Sequence, residues 1–129
     1  MFKALGEGRF AKDPVVKSVG KSQVVEFRLA MNEYRKSKET GESVKTTNFF
    51  DFEVWDSAAD IIAKNCQKGT RILVEAKPRH EQWRDKEENY RSRVFFRVEE
   101  FTILDKRKEG QADEANEEVT ATPAETSPF

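Results

Sequence analysis

Apolar and polar side chains alternate with a period of two along much of the first hundred residues, and this pattern constrains the fold most strongly. Between Val25 and Met31 every second residue is a large apolar one. Such alternation predicts a strand with one buried face and one exposed face. Similar patterns recur at residues 46–55, 71–77 and 90–104. The sequence therefore predicts a protein built mainly of β-strands.

Residues 57–67 form the one helix that the sequence predicts. Its apolar residues follow helical spacing, Ser57 can cap its start and Gly69 can terminate it. With a first strand at residues 2–10, which Gly6 and Gly8 interrupt at a bulge or a barrel bend, the order is three strands, a helix and two strands. That order matches the all-β, five-stranded Greek-key barrel called the OB-fold.

Several details of this prediction concern the later strands. Pro78 is expected to end the fourth strand, and residues 80–89 are expected to form a charged loop. The inward faces of the third and fifth strands are expected to be Asn48, Phe50, Phe52 and Val54, and Val94, Phe96 and Val98, with Phe95 among the outward residues.

The charge of the chain divides it into two units. All 23 Lys and Arg lie in residues 1–108, which carry a net charge of +5, whereas the remaining residues carry −6. After Leu104 the apolar pattern stops, so the later residues cannot bury enough surface to become ordered. We predict an OB-fold domain at residues 1–106 and a disordered acidic tail at residues 107–129. A basic body with an acidic tail suggests an anionic ligand for the body.

The sequence argues against several classes of protein. Its single cysteine, Cys66, cannot form an internal disulfide and lies on the apolar stripe of the helix. One histidine, His80, and one cysteine cannot make an ordinary zinc site, and no phosphate-binding glycine loop is present. We therefore predict no catalytic residue, metal or cofactor. No apolar run is long enough for a signal peptide or a membrane span, so a cytoplasmic protein is expected.

Four aromatic residues stand beside charges and off the predicted core faces. A protein that binds single strands without sequence preference needs a basic groove and rings on which bases stack. An alternative for these rings is packing under loops or at subunit contacts. The candidate stacking residues are Tyr34, Phe49, Trp55 and Trp83.

Five segments resemble the motifs of bacterial single-stranded DNA-binding proteins. They are residues 8–14, 47–55, 65–76 and 83–90, and the terminal Pro128-Phe129. The resemblance implies a homotetramer of OB-folds that binds single-stranded DNA, rather than RNA, at the nucleoid during replication, recombination and repair. The resemblance implies that bases stack on the four rings above. It also implies that replication and repair proteins bind Pro128 and Phe129. The resemblance further implies phosphate contacts from Lys3, Lys17, Lys68 and Arg79. From the local charge alone, we also predict phosphate contacts from Arg9, Arg35 and Arg84.

The chain also departs from the family pattern. Phe50 stands where the family usually has His, and Ala76 stands where it has Gly. Asp51 and Glu53 flank Phe49 on the face assigned to DNA. Their charges imply either a lower affinity for DNA or nearby basic side chains that form ion pairs with them. Two other functions fit the sequence: an accessory plasmid, phage or primosomal paralogue, or an OB module whose aromatics form a protein–protein interface.

Overall fold

The computed structural model describes residues 1–105 and 119–121. These residues form mostly β-strands, with one helix between the fourth and fifth strands. In chain order the elements are β1 (Ala4–Phe10), β2 (Val15–Val19), β3 (Ser22–Lys36), β4 (Ser43–Trp55), α1 (Asp56–Asn65), β5 (Arg71–Arg84), β6 (Tyr90–Ile103) and β7 (Val119–Ala121).

Five of the strands close into a barrel. β1 pairs antiparallel with β5 and, at its end, with β3, where Arg9 lies opposite Ala30. β5 pairs antiparallel with β6, β6 runs parallel to β4, and β4 pairs antiparallel with β3. The ring of neighbouring strands therefore returns to β1. This closed barrel with one short helix confirms the predicted OB-fold.

The barrel interior is filled by side chains that the alternation predicts to face inward. Val25, Phe27 and Leu29 of β3 are at most 3% exposed. α1 packs against β3 and β4 and buries Ile62 completely. Cys66 is fully buried in the core, as predicted. The rest of the core comprises Phe10, Phe52, Val54, Ala58, Ala59, Ile72, Val74, Ala76, Val98, Phe101 and Ile103.

Gly8 allows β1 to approach β3 closely where the barrel closes. A Cβ atom on Gly8 would lie 2.8 Å from the carbonyl oxygen of Ala30. Any larger residue would therefore push the two strands apart. Gly8 is thus required by the close approach of β1 and β3.

The helix α1 is shifted from the predicted residues 57–67. It begins at Asp56, and Trp55 holds the N-cap position without a capping hydrogen bond from its own side chain, so Ser57 lies in the first turn. The predicted N-cap position is therefore two residues too late. The helix ends at Asn65, and Gly69 lies in the turn that follows, where its φ of 91° favours glycine.

β5 continues through Pro78 to Arg84, so the predicted loop at residues 80–89 is wrong over its first half, and residues 85–89 connect β5 to β6. β1 pairs with β5 only as far as Ala76. Beyond that residue β5 has β6 on one side, with Pro78 opposite Phe96, and no partner strand from the described residues on the other. A residue without an N–H donor is tolerated at such an edge.

The predicted inward and outward faces of β4 and β6 are wrong where these two strands separate. Phe50 and Val94, predicted to face the core, are 40% and 57% exposed, whereas Phe95 is only 8% exposed. β4 and β6 pair only around Phe52 and Phe96. Beyond that contact the barrel has no interior, so alternation along the strand no longer separates buried from exposed residues.

Two short strands were not predicted. β2 forms a hairpin with β3 around Gly20, and all of its residues are exposed, so no burial pattern marks it. β7 pairs with β6 inside the segment predicted to be a tail. The rest of the tail prediction, at residues 106–118 and 122–129, lies outside the described residues, and so does the boundary between the two predicted units.

Candidate nucleic-acid interface

The outward side of β4 carries two of the predicted stacking residues. Phe49 is 56% exposed and lies opposite Ala30, whose small side chain leaves the ring open. Trp55 lies on the same side and is half-buried. Its indole Nε1 donates a hydrogen bond of 2.6 Å to Oε2 of Glu53. β4 therefore presents one open ring and one anchored ring.

Two β-hairpins, which we call arms, extend from the barrel. The β3–β4 arm comprises residues 32–47, and the β5–β6 arm comprises residues 79–94. Strands within each arm pair with each other, and nearly all their residues are exposed. Tyr34 on the first arm is 67% exposed, and Trp83 on the second is 43% exposed. Both predicted rings are therefore accessible from solvent.

Tyr90 is an exposed ring that the sequence analysis missed. It lies on the β5–β6 arm and is 76% exposed. The guanidinium of Arg84 lies 4.4 Å from its ring centroid and also hydrogen-bonds to its hydroxyl. A tyrosine beside Asn89 at a hairpin end was the available signal, but it was assigned only as the start of a strand.

The acidic residues beside Phe49 are paired with arginines. The carboxylate of Asp51 accepts hydrogen bonds of 2.7 and 3.3 Å from Arg28. These bonds lower the pKa of Asp51, so it stays ionised next to its partner. Glu53 accepts a hydrogen bond of 2.7 Å from Nε of Arg97. These two arginines therefore offset both of the negative charges that would repel phosphate.

A cleft of 170 Å³ lies on the outward side of β3, β4 and β6. Its wall includes Lys12, Arg28 and Arg93, and Phe95 also lines it. The guanidinium of Arg93 lies 4.9 Å from the ring centroid of Phe95. The sequence did not indicate these residues as a group, because only the strand register brings them together. The same wall carries the carboxylates of Glu26, Asp51 and Glu53, and Phe95 is only 8% exposed. The cleft by itself therefore offers neither a net positive charge nor an open stacking ring.

The comparisons with known proteins decide the family. The model of the Single-strand binding protein family matches residues 1–104. The chain belongs to this family. The single-strand binding family thus accounts for the whole barrel and both arms.

Two curated relatives of the family are similar to this chain. Single-stranded DNA-binding protein 1 of Synechocystis is 28% identical over 104 residues, covering 79% of this chain and 82% of the relative. The protein of the same name from Xylella fastidiosa is 26% identical over 103 residues, covering 79% and 76%. Among solved structures, the Plasmodium falciparum SSB complex with ssDNA has a TM-score of 0.74 at 24% identity. It matches 81% of this chain and 96% of that one. That structure supports the fold.

Two predicted phosphate contacts lie beside the rings of this single-strand binding barrel. Arg9, Ala30 and Phe49 occupy one row across β1, β3 and β4. Lys17 of β2 occupies a row with Trp55, two strands away. Both cations already have partners. The side chain of Lys17 pairs with Glu26 at 2.8 Å, and Arg9 bonds to the carbonyl of Gly69 at 2.9 Å and to Asp105 at 3.3 Å.

The remaining predicted cations are spread around the molecule. Within residues 1–105, Arg35, Lys68 and Arg79 are exposed and form no ion pair. Lys3 pairs with Glu99 at 3.3 Å, and this hydrogen bond raises the pKa of Lys3. Arg35 and Arg79 lie on the arms, each on the same arm as a predicted ring, and so does Arg84. Lys3 and Lys68 lie on neither arm nor on the outward side of β4.

Two further observations bear on the predicted function. No helix in the described part of the chain is long and apolar enough to cross a membrane. The predicted partner-binding residues, Pro128 and Phe129, lie outside the described residues.

Proposed function

We propose that this protein binds single-stranded DNA without sequence preference, by stacking bases on exposed rings and contacting phosphates with Lys and Arg. One observation carries the proposal. The barrel of a single-strand binding family member presents its exposed rings beside cations on the outward side of β4 and on both arms. The rings concerned are Tyr34, Phe49, Trp55, Trp83 and Tyr90.

Stacking supplies most of the binding free energy in this proposal. Each ring that stacks on a base contributes about 1–3 kcal/mol, measured by substitution with alanine. Every base has a π face, so this interaction tolerates any sequence. Phe49 and Trp83 are the principal rings, because Phe49 is open on the barrel wall and the indole of Trp83 is the largest exposed ring on the arms.

Phosphate contact comes from cations that have no carboxylate partner. Among the described residues, Arg35 and Arg79 on the two arms and Lys68 beside the barrel have no ion pair, so they can meet the DNA backbone. Paired cations such as Lys17 and Arg9 contribute less, since phosphate must first displace a carboxylate. Binding then weakens as salt rises, because contacted phosphates release counterions.

In the cell this activity serves replication, recombination and repair, by protecting DNA strands that are transiently unpaired. The family supports assembly into a homotetramer, in which the strand passes from one barrel to the next. We place the protein in the cytoplasm at the nucleoid. It acts by binding alone, with no reaction catalysed and no cofactor.

The terminal residues Pro128 and Phe129 are proposed to bind replication and repair proteins. An apolar pair at the end of an acidic segment suits a partner pocket with a basic rim. Deleting both residues should abolish capture of these partners while DNA affinity stays unchanged. Unchanged capture would refute this assignment without affecting the proposed DNA site.

Fluorescence anisotropy of a labelled oligo-dT tests the proposed function. We expect tight binding that unlabelled single strands of any sequence displace and that duplex DNA of equal length displaces poorly. An oligo-U competitor tests the preference for DNA, which rests on the family since stacking does not distinguish the two. Equal competition by duplex DNA would show that charge alone, not stacking, holds the ligand.

A further inference from the structure

Glu53 has an unusual position for an acidic residue on a surface that binds DNA. It is only 8% exposed, although it lies on the outward side of β4. A single oxygen, Oε2, accepts hydrogen bonds from two donors: the Trp55 indole at 2.6 Å and Arg97 Nε at 2.7 Å. Charge-assisted hydrogen bonds of this length are among the stronger ones in proteins.

The strand register produces this arrangement. Glu53 and Trp55 are two residues apart on β4, so both point to the same side. Arg97 lies opposite Glu53 on the parallel strand β6. Its guanidinium lies 5.9 Å from the centroid of the Trp55 ring, at the outer limit of a cation–π contact. Each of the three side chains, Glu53, Trp55 and Arg97, therefore interacts with the other two.

We propose that Glu53 is a positioning residue that anchors the Trp55 ring for stacking and keeps Arg97 away from phosphate. This inference rests on the proposed function, because it assumes that Trp55 contacts DNA. It goes beyond that function because it gives a role in binding to an acidic residue whose negative charge by itself would disfavour DNA.

The first part of the role follows from the indole. Trp has one hydrogen-bond donor, Nε1, and Glu53 occupies it. A ring held in one orientation loses less side-chain freedom when a base stacks on it than a ring that rotates freely. Glu53 therefore favours binding through preorganisation, and its loss should weaken the affinity several-fold.

The second part follows from the charge of Arg97. Phosphate could take Arg97 only by leaving the nearly buried carboxylate of Glu53 without its partner, which is costly. Glu26, which pairs with Lys17, lies opposite Glu53, and Lys77, which pairs with Glu99, lies opposite Arg97. Neither cation is free to replace Arg97. Arg97 thus makes no phosphate contact and does not contribute to the release of counterions from DNA.

The experiment uses the full chain with Trp83→Phe, so that Trp55 is the one tryptophan. Two substitutions separate the two parts of the role. Glu53→Gln retains an oxygen that can accept the indole N–H but removes the charge that holds Arg97. Glu53→Ala removes both. Asp60→Asn, which removes a negative charge on α1, is the matched control. Circular dichroism establishes that each variant folds.

We expect Glu53→Ala to lower the limiting fluorescence anisotropy of Trp55 and to weaken poly-dT binding several-fold. Glu53→Gln should keep the anisotropy and steepen the salt dependence of log Kd by about 0.7, one extra phosphate contact on a single strand. Asp60→Asn should change neither quantity. If Glu53→Ala does not fold, Glu53→Gln still decides: an unchanged salt slope overturns the proposal.

A folded Glu53→Ala variant with unchanged Trp55 anisotropy also overturns it. Failure of the proposed function gives a different result. In that case poly-dT does not quench Trp55 even in the Trp83→Phe parent, whatever residue stands at position 53.

Discussion

β5 consists of two halves that differ in what surrounds them. From Arg71 to Ala76 its residues alternate between buried and outward positions and pair on both sides, with β1 and β6. From Arg79 to Arg84 every residue is exposed, and within the described part of the chain only β6 is a partner. The first half belongs to the barrel and the second to the β5–β6 arm. One strand thus serves stability at one end and presents ligand-binding residues at the other.

The same division holds for β3. Leu29 and its neighbours fill the core, whereas Tyr34 and Arg35 stand in solvent on the β3–β4 arm. Because burial ends where the arm begins, changes in the barrel core should affect stability first, and changes in the arms should affect DNA affinity first. Each prediction below tests this separation.

Leu29→Ala should have the largest effect, and it should act on stability. Leu29 is fully buried between strands that close the barrel. Removing a buried leucine side chain typically costs about 2–5 kcal/mol, including the cavity that it leaves. Urea denaturation followed by circular dichroism measures the change. A loss below about 1 kcal/mol would show that the barrel core collapses around the gap or is not the source of stability.

Trp83→Ala should act on affinity and leave stability nearly unchanged. The ring lies on the arm and contributes little to the core, so the unfolding free energy should change by no more than about 0.5 kcal/mol. DNA binding should weaken by about 1–3 kcal/mol, the usual loss for one stacking ring. Titration of a labelled oligo-dT gives the affinity. If the variant loses stability but binds normally, the division between barrel and arm is wrong.

Arg79→Gln should change the salt dependence more than the affinity at any one salt concentration. Arg79 has no ion pair among the described residues, so its whole charge is available to phosphate. Losing one contact should flatten the slope of log Kd against log salt by about 0.7. Lys64→Gln makes a matched change on α1, outside both arms, and should leave the slope as it is. Equal slopes for all three proteins would remove Arg79 from the site.

The smallest effect concerns the ion pair between Arg28 and Asp51 on the barrel wall. Asp51 has a lowered pKa in the folded protein, chiefly through its hydrogen bond from Arg28. Its stabilising contribution is therefore complete above the unfolded pKa of about 3.9 and is lost as pH falls through the lower folded pKa. Because the pair is partly exposed, the effect is modest.

Thermal unfolding between about pH 5 and about pH 2 measures this effect. The wild-type protein should lose more stability over that interval than Asp51→Asn, which has no carboxylate to protonate. Arg28→Gln should resemble Asp51→Asn. Parallel curves for the wild-type protein and Asp51→Asn would contradict the pairing.

The sequence predicted the barrel well because burial leaves a pattern. Val25, Phe27 and Leu29 alternate with polar residues, and the positions of the strands around one helix then suffice to indicate the OB-fold. The arms carry no such pattern, since both of their faces meet water. The sequence therefore predicts that Pro78 ends a strand, whereas β5 continues there along an edge that pairs with no other described strand and accepts a proline.

The candidate site was predictable where a residue stands out against its surroundings. Trp83 did so, as a large ring among charges. Tyr90 did not, because a tyrosine at a strand start is unremarkable. The cleft around Arg93 and Phe95 could not be predicted at all, because it depends on which residues of β3, β4 and β6 lie side by side.

The central claim is that exposed rings on the barrel wall and the arms stack on the bases of single-stranded DNA. The fluorescence of Trp55 and Trp83 tests it most directly, because stacking on a base quenches indole emission. Titration with poly-dT at low salt should strongly quench the emission and saturate at a defined ratio of nucleotides to protein. Emission that stays constant while the DNA binds would show that charge holds the ligand and that the rings do not.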